Sequence, residues 1–104
     1  MAATKEALVK KQVKKLLDSL DIYHFSPFQA GMGRAGIPDI ICCVNGRFVG
    51  VECKAGKGQT TALQDRELAA IHAAGGFAFV VRETNIDELK ERLLWLKTKG
   101  DFYD

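Results

Sequence analysis

Apolar residues recur at Val9, Val13, Leu16, Leu17 and Leu20, the i, i+4, i+7, i+8 spacing of one helical face. Lys11, Lys14, Lys15 and Asp18 take the opposite side, so the pattern predicts an amphipathic helix from about Thr4 to Leu20. Ile22 to Phe28 is aromatic-rich and interrupted by Pro27, which predicts a short edge strand. A loop over residues 29–36 follows. Asp39 to Val44 and Arg47 to Lys54 are two β-rich runs around Asn45-Gly46, the strongest short-range hairpin signal. Their consecutive apolar residues predict a hairpin buried on both faces beneath helices. Thr61 with Gln64 three positions on starts a second helix that Gly75-Gly76 ends. Phe77 to Val81 reads as a buried strand. Thr84 with Asp87 starts a last helix that runs to about Lys97. The expected architecture is α/β, an αβββαβα core in which a central mixed sheet is flanked by helices.

The hairpin register brings chemistry into view. With Asn45-Gly46 as a two-residue turn, Val44 opposes Arg47, and the same register sets Asp39 opposite Glu52. Side chains alternate along a strand, so Glu52 and Lys54 share the face from which Asp39 points. Opposed like charges destabilise a sheet unless something neutralises them. Magnesium would do so, since hard cations take carboxylate oxygens; a surface ion pair of Glu52 with Lys54 at a frayed strand end is the alternative. Lys54 beside two carboxylates stays protonated, which favours an electrostatic or orienting role over that of a general base.

Length and composition narrow the setting. The chain has 104 residues, 47% of them hydrophobic and 27% charged, which fits one folded domain over 1–104 rather than a disordered tail. No apolar run reaches membrane-helix length, and the lysine-rich start lacks a secretory signal pattern. A cytoplasmic protein is expected, in the host cytoplasm if phage-encoded. Cys42, Cys43 and Cys53 have neither zinc-site spacing nor an even count. The formal charge is +2, but residues 1–57 hold 9 Lys+Arg against 5 Asp+Glu while 58–104 hold 6 against 8. The first half is the basic one.

Gly36-Ile37-Pro38-Asp39, the hairpin, Val51-Glu52-Cys53-Lys54, Gln64 on the following helix and the Gly75-Gly76 strand entry together resemble the PD-(D/E)xK nucleases. More narrowly they resemble the virus-type replication-repair nuclease (VRR-NUC) domain in a stand-alone, phage-type form, from Glu6 to about Glu83. The resemblance implies Mg2+- or Mn2+-dependent hydrolysis of DNA phosphodiesters, with Asp39 and Glu52 as metal ligands. It further implies that the backbone carbonyl of Cys53 completes the metal shell, that Lys54 orients or activates water, and that Gln64 supports the site. Branched or four-way-junction DNA and a homodimer like that of archaeal junction resolvases are the corresponding substrate and assembly. A metal at such a site supplies both a nucleophile at neutral pH and charge for the developing oxyanion.

Other residues remain open at this level. Glu6 projects from the inward side of the first helix and either adds a metal ligand or merely complements the helix dipole. Gln64 is equally well explained as the N3 residue of a capping box. Gly31-Met32-Gly33-Arg34-Ala35-Gly36 matches a dinucleotide fingerprint but precedes Pro38 and a β-run instead of opening a helix, which excludes that reading. Arg34 in that loop, and Lys57 in what reads as a mobile Gly56–Gln59 loop, are candidate DNA contacts. Lys10, Lys11, Lys14 and Lys15 read as a solvated helix face; Lys11 and Lys14 are candidate phosphate contacts. His24 and His72 have no partners at ligand spacing. Ile86, Leu89, Leu93 and Leu96 form an inward face on the last helix, yet Leu94 and Trp95 are apolar too and Phe102 and Tyr103 follow, which points to a homodimer interface. A non-catalytic nucleic-acid-binding module and a metal enzyme acting on RNA or small phosphate esters are the alternatives.

Overall fold

Thr4 starts the first helix by accepting a hydrogen bond from the Ala7 N–H at 3.0 Å, so α1 spans Lys5–Ser19. Val9, Val13 and Leu17 are its buried stripe. The helix ends in a reversal in which Asp21 donates to the Asp18 carbonyl and Ile22 to the Leu17 carbonyl. This is a Schellman cap, and Asp21 holds its left-handed position at φ 56 without a glycine. The computed structural model describes residues 4–28 and 33–99.

The elements then follow as β1 (Tyr23–Phe25), β2 (Ile40–Val44), β3 (Arg47–Cys53), α2 (Ala62–Ala73), β4 (Phe77–Val81) and α3 (Ile86–Lys99). They form a mixed four-stranded sheet ordered β1-β2-β3-β4, antiparallel except for the parallel β3–β4 pair. The α/β αβββαβα order expected from the sequence is the one observed. Asn45 and Gly46 both have positive φ, 52 and 82, which gives the tight primed turn whose twist suits a hairpin. Val44 accordingly pairs with Arg47, and the register continues to Ile40 with Val51.

Ile40, Cys42, Val44, Val49, Val51, Cys53 and Val81 point to one side of the sheet and form the core with the buried faces of α1 and α3. The other side differs from the expectation of a hairpin covered on both faces. Among the described residues, helix α2 packs mainly on β4 and β3, and Cys43 and Phe48 are exposed while Ile41 is half-buried. Alternating Cβ directions put Tyr23, Phe25, Ile41, Cys43 and Phe48 on that partly open face. The strand expected from Ile22 to Phe28 is also shorter, ending before Pro27. The last helix begins at Ile86 rather than at Thr84: Asn85 uses its side chain to accept from the Arg82 N–H at 2.7 Å, and its carbonyl accepts the Leu89 N–H at 3.2 Å.

Helix α2 carries Glu67 as its buried residue. It is fixed at both ends by local hydrogen bonds. Thr61 and Gln64 form a complete capping box, and Gly75 at φ 94 closes a second Schellman turn. Gly36 packs against the start of this helix at φ 77, where a Cβ would lie 2.7 Å from the Leu63 backbone. Only glycine combines that torsion with that approach.

Candidate metal centre

The carboxylates converge where the hairpin ends meet the start of α1. Asp39 follows the buried Pro38 and immediately precedes β2, Glu52 lies near the end of β3, and Glu6 lies in the first turn of α1. One oxygen from each falls within 4.8 Å of the others. Two are held in place by the fold. The Cys53 N–H donates to Asp39 Oδ2 at 2.8 Å, and Gln64 Nε2 donates to Glu52 Oε2 at 3.0 Å. Lys54 closes the group, with Nζ 3.6 Å from Glu52 and 3.9 Å from Glu6.

Gln64 caps α2 and contacts Glu52 at the same time. Its Oε1 accepts the Thr61 N–H at 2.9 Å to complete the capping box, which leaves the amide nitrogen aimed at Glu52. A helix cap therefore supplies the orientation of a buried carboxylate.

Glu52 is 2% exposed. Burial, reinforced by the neighbouring Asp39 charge, pushes its carboxyl up to about 7, with Lys54 pulling the other way. Its ionised form is therefore strained, and a divalent cation among the three carboxylates would relieve that strain. The donor set is all oxygen, which suits Mg2+ or Mn2+. Burial first, and then Asp39 and Glu52, push the Cys53 thiol up to about 12.

Lys10 joins this group although the sequence reading placed it on a solvated face. Its Nζ is 3.3 Å from Asp39 Oδ1. Burial works to lower its pKa, but Asp39, and behind it Glu6, outweigh burial and hold it above the ordinary lysine value. The available signal was its i+4 position from Glu6, which sets both on one side of α1.

The remaining candidates lie elsewhere. Lys11 and Lys14 are exposed along α1. Arg34 donates from Nε to both oxygens of Glu67 at 2.8 Å, and that contact raises its pKa; it ties the residue 33–36 stretch to α2. Lys57 is exposed in a loop that is braced rather than loose. Arg82 Nη1 donates to the Gly56 and Gly58 carbonyls at 3.0 and 2.6 Å, and the Gly56 N–H donates to Glu83 at 2.7 Å. Gly31 and Met32 of the glycine-rich match lie outside the described residues, as do Phe102 and Tyr103.

No family model and no curated protein matches the sequence. A solved structure described as a VRR_NUC domain protein does match, with a TM-score of 0.71 over 97% of this chain and 94% of that one at 20% identity. The chain has the VRR-NUC fold. Within that fold Asp39, Glu52 and Lys54 occupy the end of one hairpin, and α1 and α2 bring Glu6 and Gln64 to it.

Proposed function

We propose that the chain is a metal-dependent nuclease that cleaves DNA phosphodiester bonds at the Glu6–Asp39–Glu52 cluster. The observation that carries this reading is the convergence of three carboxylates within 4.8 Å around a lysine, with one of them 2% exposed. The fold shared with a protein described as a VRR_NUC domain protein supports it.

Asp39, Glu52 and Glu6 would hold Mg2+ or Mn2+ together with the Cys53 carbonyl. When bound, the metal supplies a nucleophile at neutral pH and charge for the transition state. The chain's own residues prepare that chemistry. The Cys53 N–H and the Gln64 amide each engage one oxygen of their carboxylate and so fix its orientation. Lys54 donates its ammonium to charge developing on the phosphate and orients the attacking water.

The substrate in this reading is DNA, branched or four-way, cut by a homodimer. Arg34, Lys57, Lys11 and Lys14 would contact phosphates. The proposed dimer surface centres on the end of α3. There Leu94 and Trp95 are 39% and 52% exposed, beside a groove of about 340 Å3 lined by Phe77, Phe79, Arg92, Trp95 and Leu96.

The test is a cleavage panel of labelled duplex, flap and four-way-junction DNA with matched RNA, in Mg2+, Mn2+ or EDTA, with Asp39→Ala as control. Metal-dependent cutting of DNA that the variant lacks is expected. Binding without cutting under every metal would instead assign a non-catalytic module, and cutting of RNA alone would replace the substrate.

A further inference from the structure

The metal-free arrangement at Asp39 contains a cation already, in the form of the Lys10 ammonium. Nζ of Lys10 sits 3.3 Å from Asp39 Oδ1. The other oxygen, Oδ2, is committed to the Cys53 N–H at 2.8 Å. Lys10 therefore takes the Asp39 oxygen that is left for a cation. Its partners differ from those of Lys54, which faces Glu52 and Glu6. Their surroundings differ as well: the Lys54 side chain is 14% exposed and that of Lys10 is 39% exposed. A half-exposed lysine on a four-carbon stem can leave its carboxylate without opening the core.

We propose that Lys10 stands in for the divalent cation at Asp39, yields that oxygen when metal binds, and then holds a phosphate of the bound nucleic acid. The inference rests on the metal-site reading given above. Two cations cannot share Asp39 Oδ1 without strong repulsion at this separation. The departing ammonium stays tethered to α1 beside the site, where Glu6 and Asp39 are engaged by the metal and a phosphate of the substrate is the anion left for it. Lys10 thereby links the two ligands. Metal binding releases a phosphate-binding group, so each ligand strengthens the other. Lys10 is a positioning residue in this scheme, distinct from the Lys54 contribution to the reacting phosphate.

The experiment titrates Mn2+ calorimetrically into the wild type, Lys10→Met, Lys15→Met and Asp39→Asn. Lys15 is exposed on α1, and its variant removes the same charge without the Asp39 contact. Losing a half-exposed ion pair together with its repulsion of the incoming cation should tighten Mn2+ binding about five- to tenfold in Lys10→Met, against about twofold or less in Lys15→Met. Affinity for a short duplex is then measured in EDTA and in Ca2+. Ca2+ should strengthen DNA binding by the wild type several-fold more than binding by Lys10→Met.

Mn2+ affinity in Lys10→Met no higher than in Lys15→Met would overturn the stand-in role. An equal Ca2+ effect on DNA binding in the wild type and Lys10→Met would overturn the phosphate role. Loss of Mn2+ binding in Asp39→Asn beside an unchanged Lys10→Met would leave the metal site in place and remove Lys10 alone. Identical Mn2+ binding by Asp39→Asn and the wild type would remove both.

Discussion

Replacing Glu52 by glutamine should stabilise the metal-free protein, by a gain that grows from about pH 4.5 to about pH 7 and then levels off. The carboxyl is raised from 4.5 to about 7, first by burial and then by Asp39. The folded chain therefore binds more protons at this group than the unfolded chain does between those values, and wild-type stability falls as pH rises through that window. Each unit corresponds to about 1.4 kcal/mol, so the ionised carboxylate weakens the fold by on the order of 3 kcal/mol at pH 8. Glutamine keeps the shape, and its amide oxygen can still accept from Gln64, while the charge is gone. For a domain of this size the gain corresponds to roughly 10 °C in Tm at pH 8, shrinking toward zero near pH 4.5. Thermal unfolding of the two proteins across that range, in EDTA, reads the effect. A Glu52→Gln protein that is no more stable at pH 8, or equally stabilised at both ends of the range, would refute the electrostatic account of the site.

Asp39→Asn should abolish the Tm increment that Mg2+ gives the wild type, about 2–3 kcal/mol at a hundredfold excess over Kd. Unlike Glu52→Gln, it should bring no gain without metal, because Asp39 also serves the Cys53 N–H and Lys10; melting curves with and without Mg2+ check both points. Lys54→Ala should lower the cleavage rate by several orders of magnitude while DNA affinity in Ca2+ stays within a few fold, a split that single-turnover kinetics and binding isotherms measure. Trp95→Glu should shift the protein from dimer to monomer by light scattering at tens of micromolar, and should impair paired-strand cutting more than nicking.

Much of this site was legible because a few local rules fix it. Asn45-Gly46 admits only a short turn, and a two-residue turn sets Val44 against Arg47; from there the alternation of side chains carries Asp39 to Glu52. Thr61 and Gln64 announced the start of α2. The dual use of Gln64 was not decidable, since capping and orienting Glu52 require the same residue. Lys10 was legible only in part, through its i+4 spacing from Glu6, and for a different reason. Four lysines follow Glu6 along one helix, and which of them meets Asp39 depends on how α1 crosses the sheet, a tertiary fact that periodicity does not encode. The exposure of Cys43 and Phe48 was hidden in the same way. A strand apolar on both sides reads as doubly buried, whereas among the described residues α2 packs mainly on β4 and β3. At α3 the Thr84 and Asp87 pair imitated a helix start, but Asn85 takes its hydrogen bonds across to Arg82 and Val80 and delays the helix to Ile86.

The central claim is that Asp39 and Glu52, with Glu6, hold the divalent cation on which cleavage depends. Anomalous diffraction at the manganese edge from crystals grown with Mn2+ tests it most directly. The account predicts a peak within about 2.5 Å of carboxylate oxygens of both Asp39 and Glu52, absent from Asp39→Asn crystals prepared identically. A Mn2+ peak elsewhere on the chain with none between these two carboxylates, in a protein that cleaves DNA under the same conditions, would contradict it.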